Sequence, residues 1–97
     1  MDSTIKAAII NKHLLEFDYD GFHRIVEPHV YGIQDGKQQI LVFQVAGGSS
    51  SGNLPNWRRM YISKIFSIHM LNDTFAGPRS YPSGKHSSFD TTIAVVR

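Results

Sequence analysis

The sequence contains no cysteine and only one tryptophan among its 97 residues. Without cysteine there is no disulfide, no thiolate nucleophile and no cysteine-ligated zinc, a composition that suits a reducing cytoplasm. No run approaches the roughly eighteen continuous apolar residues of a membrane span. Met1 to Lys12 is too short and too polar for a signal peptide. These absences predict a soluble, cytoplasmic chain that does not engage a membrane.

Chemistry-bearing patterns are also missing. The five histidines, His13, His23, His29, His69 and His86, show no metal-ligand spacing, so no metal is expected. Ser49-Ser50-Ser51-Gly52 lacks the glycine and lysine spacing of a phosphate-binding loop and reads as a loop able to close over a ligand. No nucleophile, base and orienting group can be assembled at a workable spacing. The expectation is a binding module with no cofactor and no catalytic activity.

What is present is an ordinary globular balance, 41% hydrophobic and 19% charged, against which disorder would require fewer apolar residues and more net charge. The length allows a single domain over residues 1–97, with a helix and barrel over 3–71 and a C-terminal extension over 72–97. Residues 1–56 carry four Lys/Arg against six Asp/Glu, and residues 57–97 carry six against two. An anionic partner would therefore meet the C-terminal half.

Ser3 or Asp2 can cap a helix through Thr4 to Lys12, whose Ile5, Ala8 and Ile9 form one apolar stripe. So short a helix must lie on something. Leu14 to Asp20 alternates, with Leu15, Phe17 and Tyr19 on one side and Glu16, Asp18 and Asp20 on the other, a half-buried strand with a solubilising acidic row. Asp20-Gly21 and Asp35-Gly36 signal two-residue hairpin turns. Phe22 to Ile33 and Lys37 to Ala46 follow as strands, with Pro28 demanding an edge or a bulge. After the Gly- and Ser-rich excursion of Gly47 to Asn56, Trp57 to Ile62 and Ile65 to Leu71 give strands four and five, broken at Ser63-Lys64. Phe89 to Val96 can add a last strand. The prediction is a mainly β domain: a small five-stranded antiparallel barrel of SH3-like or Sm-like form, closed or nearly so, with a short N-terminal helix and an irregular tail.

Turn placement fixes parity. With Asp20-Gly21 at the tip, Phe17 opposes Arg24, and cross-strand partners share a face. Arg24 thus projects with Phe17, Tyr19 and Val26 on the apolar side, where Glu27 cannot follow it. The same parity sets Arg58 with Met60 and Ile62, and Trp57, Arg59 and Tyr61 opposite. A buried guanidinium requires an acid, a ligand or the rim, and its planar fork suits carboxylate or phosphate. By the same logic His69, sharing parity with Ile65 and Leu71, is a candidate core histidine, whereas His23 and His29 are surface residues.

Leu15-Glu16-Phe17-Asp18-Tyr19, then Arg24-Ile25-Val26-Glu27-Pro28-His29, then Arg58-Arg59-Met60-Tyr61-Ile62-Ser63-Lys64-Ile65 resemble, in order and spacing, the WYL domain, a small barrel module of bacterial regulators. The triplet that names that family falls on Gln39-Ile40-Leu41, of which only the leucine is kept. The resemblance spans about residues 4–71. It implies a ligand-sensing role in transcriptional regulation, with an anionic small molecule or nucleic acid held at Arg24, Arg58 and Lys64 and more weakly at Tyr31. It further implies a DNA-binding partner protein, since these residues include no DNA-binding region.

Trp57, Arg59 and Tyr61 interleave aromatic rings with a cation and can contact single-stranded nucleic acid by stacking and phosphate pairing. A surface cation–π cluster has the same signature. From a different class comes a second expectation: a structural or protein-interaction barrel acting through oligomerisation, its Phe89 to Val96 tail pairing with another subunit.

Overall fold

A computed structural model describes residues 1–50, 52–80 and 89–97. The helix α1 covers Asp2–Asn11. The strands are β1 (His13–Tyr19), β2 (Phe22–Gln34), β3 (Lys37–Gly47), β4 (Asn56–Tyr61), β5 (Ile65–Thr74) and β6 (Thr91–Val95), with a 3₁₀ turn over Ile62–Lys64 between β4 and β5. No helix is long and apolar enough to cross a membrane among the described residues.

The helix starts earlier than its composition suggests. Met1 is its N-cap and no side chain caps it, so neither Ser3 nor Asp2 takes that role. Asp2 sits instead inside the first turn, where it accepts a 2.7 Å hydrogen bond from the Tyr31 hydroxyl and pairs with Lys6 at 3.2 Å. Lys12 ends the helix in the left-handed region at φ 59°. Ile5, Ala8 and Ile9 are fully buried against Leu15, Phe17, Val26, Tyr31, Ile40, Val42, Met60, Ile62, Ile65 and Val96. Burying each isoleucine is worth about 1.5–3 kcal/mol, which holds a helix too short to persist alone.

Both hairpin turns have positive φ at their two central residues: Asp20 at 55° and Gly21 at 80°, Asp35 at 53° and Gly36 at 73°. That geometry is the type I′ turn, which matches the right-handed strand twist. The register that follows is the expected one, with Tyr19 opposite Phe22, Asp18 opposite His23 and Phe17 opposite Arg24.

The antiparallel sheet runs β4-β3-β2-β1-β5, and β6 joins β2. β2 is the organising strand. It pairs with β3 along one edge throughout, while its other edge serves β1 up to Val26 and β6 from Val30 onward. Pro28, which has no N–H to donate, falls between those two partners and beside a register shift at His29. Gly32 is required where β6 closes in, since a Cβ there would lie 2.3 Å from the Thr91 carbonyl oxygen.

The last strand expected within Phe89 to Val96 forms over Thr91–Val95, on β2 of its own chain. Two features differ from the expectation. No ladder joins β4 to β5, so the curled sheet stays open there and the barrel does not close. β5 breaks parity: Ser67 adopts φ 55° and a register shift separates the Glu16–His69 and Asp18–Phe66 pairs. An extra residue turns the side chains that follow it to the other face until the next register shift, beyond Met70, which is why His69 is exposed and not in the core.

Candidate functional site

The first hairpin, set by Asp20-Gly21, carries Arg24 into the concave face, where the residue is only 5% exposed. Its Nε and Nη2 donate to the Tyr19 carbonyl at 3.2 and 3.0 Å, and its Nη1 donates to Gln44 Oε1 at 3.2 Å. The guanidinium carbon lies 5.3 Å from the Tyr19 ring centre and 5.6 Å from that of Phe22. Arg24 therefore has polar and aromatic neighbours, but among the described residues it forms no ion pair with a carboxylate.

Gln44 explains why. It is fully buried, and its Nε2 donates to the carbonyls of Ala46 at 3.1 Å and Gly48 at 3.0 Å. Those two bonds fix the amide so that its oxygen faces Arg24. A glutamate would neutralise Arg24 but could not donate to either carbonyl. The start of the 47–55 excursion is thus tied to the arginine through a neutral group. Gly47 lets β3 run close to β2: at φ 91°, a Cβ would lie 2.2 Å from the His23 carbonyl oxygen.

Arg58 joins Arg24 from β4. Val42 opposes Arg58, Gln44 opposes Val26, and Arg24 shares the parity of Val26, so all face inward. Arg58 Nη2 donates to Ser49 Oγ at 3.2 Å. Burial lowers the pKa of Arg24, and the positive charge of Arg58 lowers it further, with Asp20 and Tyr19 acting in the opposite sense. Two cations have thus been brought close enough on this face for one to act on the other.

The other expected site residues lie elsewhere. Lys64 is exposed in the 3₁₀ turn with its Nζ 5.5 Å from the Tyr61 ring centre. The Tyr61 amide in turn donates to Tyr19 Oη at 3.1 Å. Tyr31 belongs to the core, 1% exposed, and ties β2 to the helix through Asp2. Burial first, and then the Asp2 carboxylate, push its phenol up to about 12.

Trp57, Arg59 and Tyr61 alternate with the inward residues of β4 as expected, but the outer face is furnished. The Trp57 ring meets His29 edge-on at 4.7 Å and Phe43 at 5.3 Å. Arg59 Nε donates to Gln39 Oε1 at 2.9 Å, and its guanidinium sits 3.9 Å from the Phe89 ring centre. Tyr61 remains exposed between Lys37 and Lys64, whose ammonium groups lie 5.4 and 5.5 Å from its ring centre.

His29 is not a surface residue. It is fully buried, with Phe75 stacked on it at 5.4 Å, because the chain beyond β5 folds back over this face. His23 is exposed as expected, between Asp18 at 3.1 Å and Glu16 at 3.2 Å. The Asp18 hydrogen bond raises its pKa against the opposing desolvation, and Glu16 adds to the rise.

A recess of about 290 Å³ between α1 and β6 is lined by Ile10, Thr92, Ile93, Ala94, Val95 and Arg97, none of them in the arginine cluster. Among the described residues no group of His, Asp and Glu is arranged to hold a metal. No family model, curated protein or solved structure matches the chain. The class defined by fold and site is a small open antiparallel β domain with a cationic pair on its concave face.

Gln44, Tyr19 and Ser49 were not among the expected site residues. A signal for Gln44 existed: it is the one polar residue at inward parity in Ile40-Leu41-Val42-Phe43-Gln44. The Tyr19 carbonyl and the Ser49 hydroxyl act through backbone path and loop position, for which the sequence carries no pattern.

Proposed function

We propose that this domain binds a phosphate-bearing anion, a nucleotide or a nucleic acid segment, at Arg24 and Arg58, in the ligand-sensing manner that the WYL resemblance implies. One observation carries the reading: Arg24 is almost fully buried, yet its acceptors are a backbone carbonyl and a neutral amide. Leaving a buried guanidinium uncompensated costs several kcal/mol, and charge-assisted, forked bonds to an oxyanion recover it. On this reading the role is recognition, with regulation as its use.

The test is fluorescence anisotropy with a labelled single-stranded oligonucleotide, competed by unlabelled mononucleotides. Arg58→Ala weakens binding at least about tenfold, the loss of one charge-assisted contact, and the wild-type affinity falls as salt rises. Unchanged affinity in a folded Arg58→Ala protein would show that the assigned site is wrong.

β5 favours a second reading, a protein-interaction module acting through oligomerisation. Phe66 is 65% and Met70 43% exposed on this strand, which among the described residues pairs with β1 alone. The tail strand is already paired with β2, so β5 replaces it as the segment that would meet another copy. Phe66→Asp then converts a dimer to a monomer in sedimentation, and a wild-type monomer across the accessible concentration range removes this reading.

A further inference from the structure

The outer face of β2 is covered by residues 75–80. Phe75 enters this segment with its amide donating to the Lys12 carbonyl at 2.9 Å, and its ring stacks on His29. Arg79 closes it, donating from Nε and Nη2 to the two carboxylate oxygens of Glu27 at 2.6 and 2.9 Å, with its guanidinium 4.4 Å from the Phe43 ring centre. The Glu27 side chain is only 6% exposed and that of Arg79 is 49% exposed. A forked ion pair at one end and an aromatic stack at the other thus fasten the segment to the sheet.

We propose that residues 75–80 form an acid-sensitive strap, closed while His29 is neutral and released when His29 is protonated. His29 lies at the β2 bulge, its Nδ1 2.9 Å from the Glu27 carbonyl oxygen, enclosed by Trp57 from β4 and Phe75 from the strap. Among the described residues the charged groups facing it are the Glu27 carboxylate from β2 and the Arg79 guanidinium from the strap; on β4, Arg59 donates to Gln39 and lies over Phe89. Protonation places a cation in an enclosed aromatic layer with a second cation, Arg79, beside it. A released strap lets water reach the imidazolium.

Burial depresses the pKa of His29 from its ordinary 6.5; the Glu27 carbonyl and then its carboxylate partly oppose this, and Arg79 adds a last, smallest lowering. The released state takes up its proton nearer the ordinary value, so between the two values it binds more protons than the closed state. Closure is therefore fully favoured above pH 6.5 and weakens as pH falls below it. Release uncovers Phe43, His29 and Trp57 together, a surface distinct from the concave arginine site.

The chain's single tryptophan reports on this layer directly. Acrylamide quenching of Trp57 in the full chain is expected to rise as pH drops from 7.5 toward 5, while far-UV circular dichroism stays native. His29→Gln, which cannot take the proton, loses that rise. Should His29→Gln not fold, Arg79→Gln serves instead: it cuts the exposed anchor and brings quenching at pH 7.5 up to the wild-type value at pH 5. Three results overturn the proposal: flat wild-type quenching, a rise that coincides with loss of circular dichroism, or an Arg79→Gln protein no more quenchable than wild type at pH 7.5.

Discussion

Arg24 and Arg79 meet β2 from opposite faces and resolve the same electrostatic problem in opposite ways. On the outer face Arg79 is half-exposed and grips a buried carboxylate through both oxygens, which raises its pKa. On the inner face Arg24 is buried and grips a backbone carbonyl and an amide, and its pKa is lowered. A cation with its counter-charge built in is a fastening. Arg24 has no carboxylate partner among the described residues and a second cation beside it, and it is there that we propose an anion binds. On the proposed reading the two arginines separate structure from recognition within one small sheet.

The sharpest way to break this contrast is to give the inner arginine its acid. Gln44→Glu places a carboxylate against Arg24, and binding of the oligonucleotide probe should fall by at least about tenfold to a hundredfold, the value of a charge-assisted contact now satisfied internally. Anisotropy titration at fixed salt measures it, and retained affinity would mean that Arg24's charge is not what the ligand reads. Removing the acid from the outer arginine has a smaller effect and moves a different quantity. Glu27→Ala leaves Arg79 unanchored and a small void beneath it, and should lower stability by about 1–3 kcal/mol in urea unfolding. It should leave anion affinity within about twofold, because distant sites act independently. A matching loss of affinity would show that the two faces are coupled and not separate.

Much of the inner site was legible in sequence. Asp-Gly turns admit one register, and a register fixes parity, so the inward placement of Arg24 and Arg58 followed from counting residues. Lys64 and Tyr31 were assigned through the family resemblance, and the structure sets them apart from the arginines, one on the outer rim and one in the core beside the helix. The outer face was far less legible. His29 alternates like a surface residue, and it is buried because Phe75 and Arg79, about fifty residues later, return to cover it. His69 illustrates the converse, since one residue of left-handed backbone at Ser67 was enough to reverse its side.

By itself the sequence determined what local rules govern: the two type I′ hairpins, the apolar stripe of α1, the alternation of β1, the edge or bulge that Pro28 demands, and two arginines in apolar strands. These depend on φ preferences and on side-chain period, which neighbouring residues decide. Only the tertiary structure decided that the barrel stays open between β4 and β5, that the tail pairs with β2, and that Gln44 withholds a charge from Arg24. Those outcomes depend on contacts between residues far apart in sequence, where loop closure and packing choose among partners that no local pattern distinguishes.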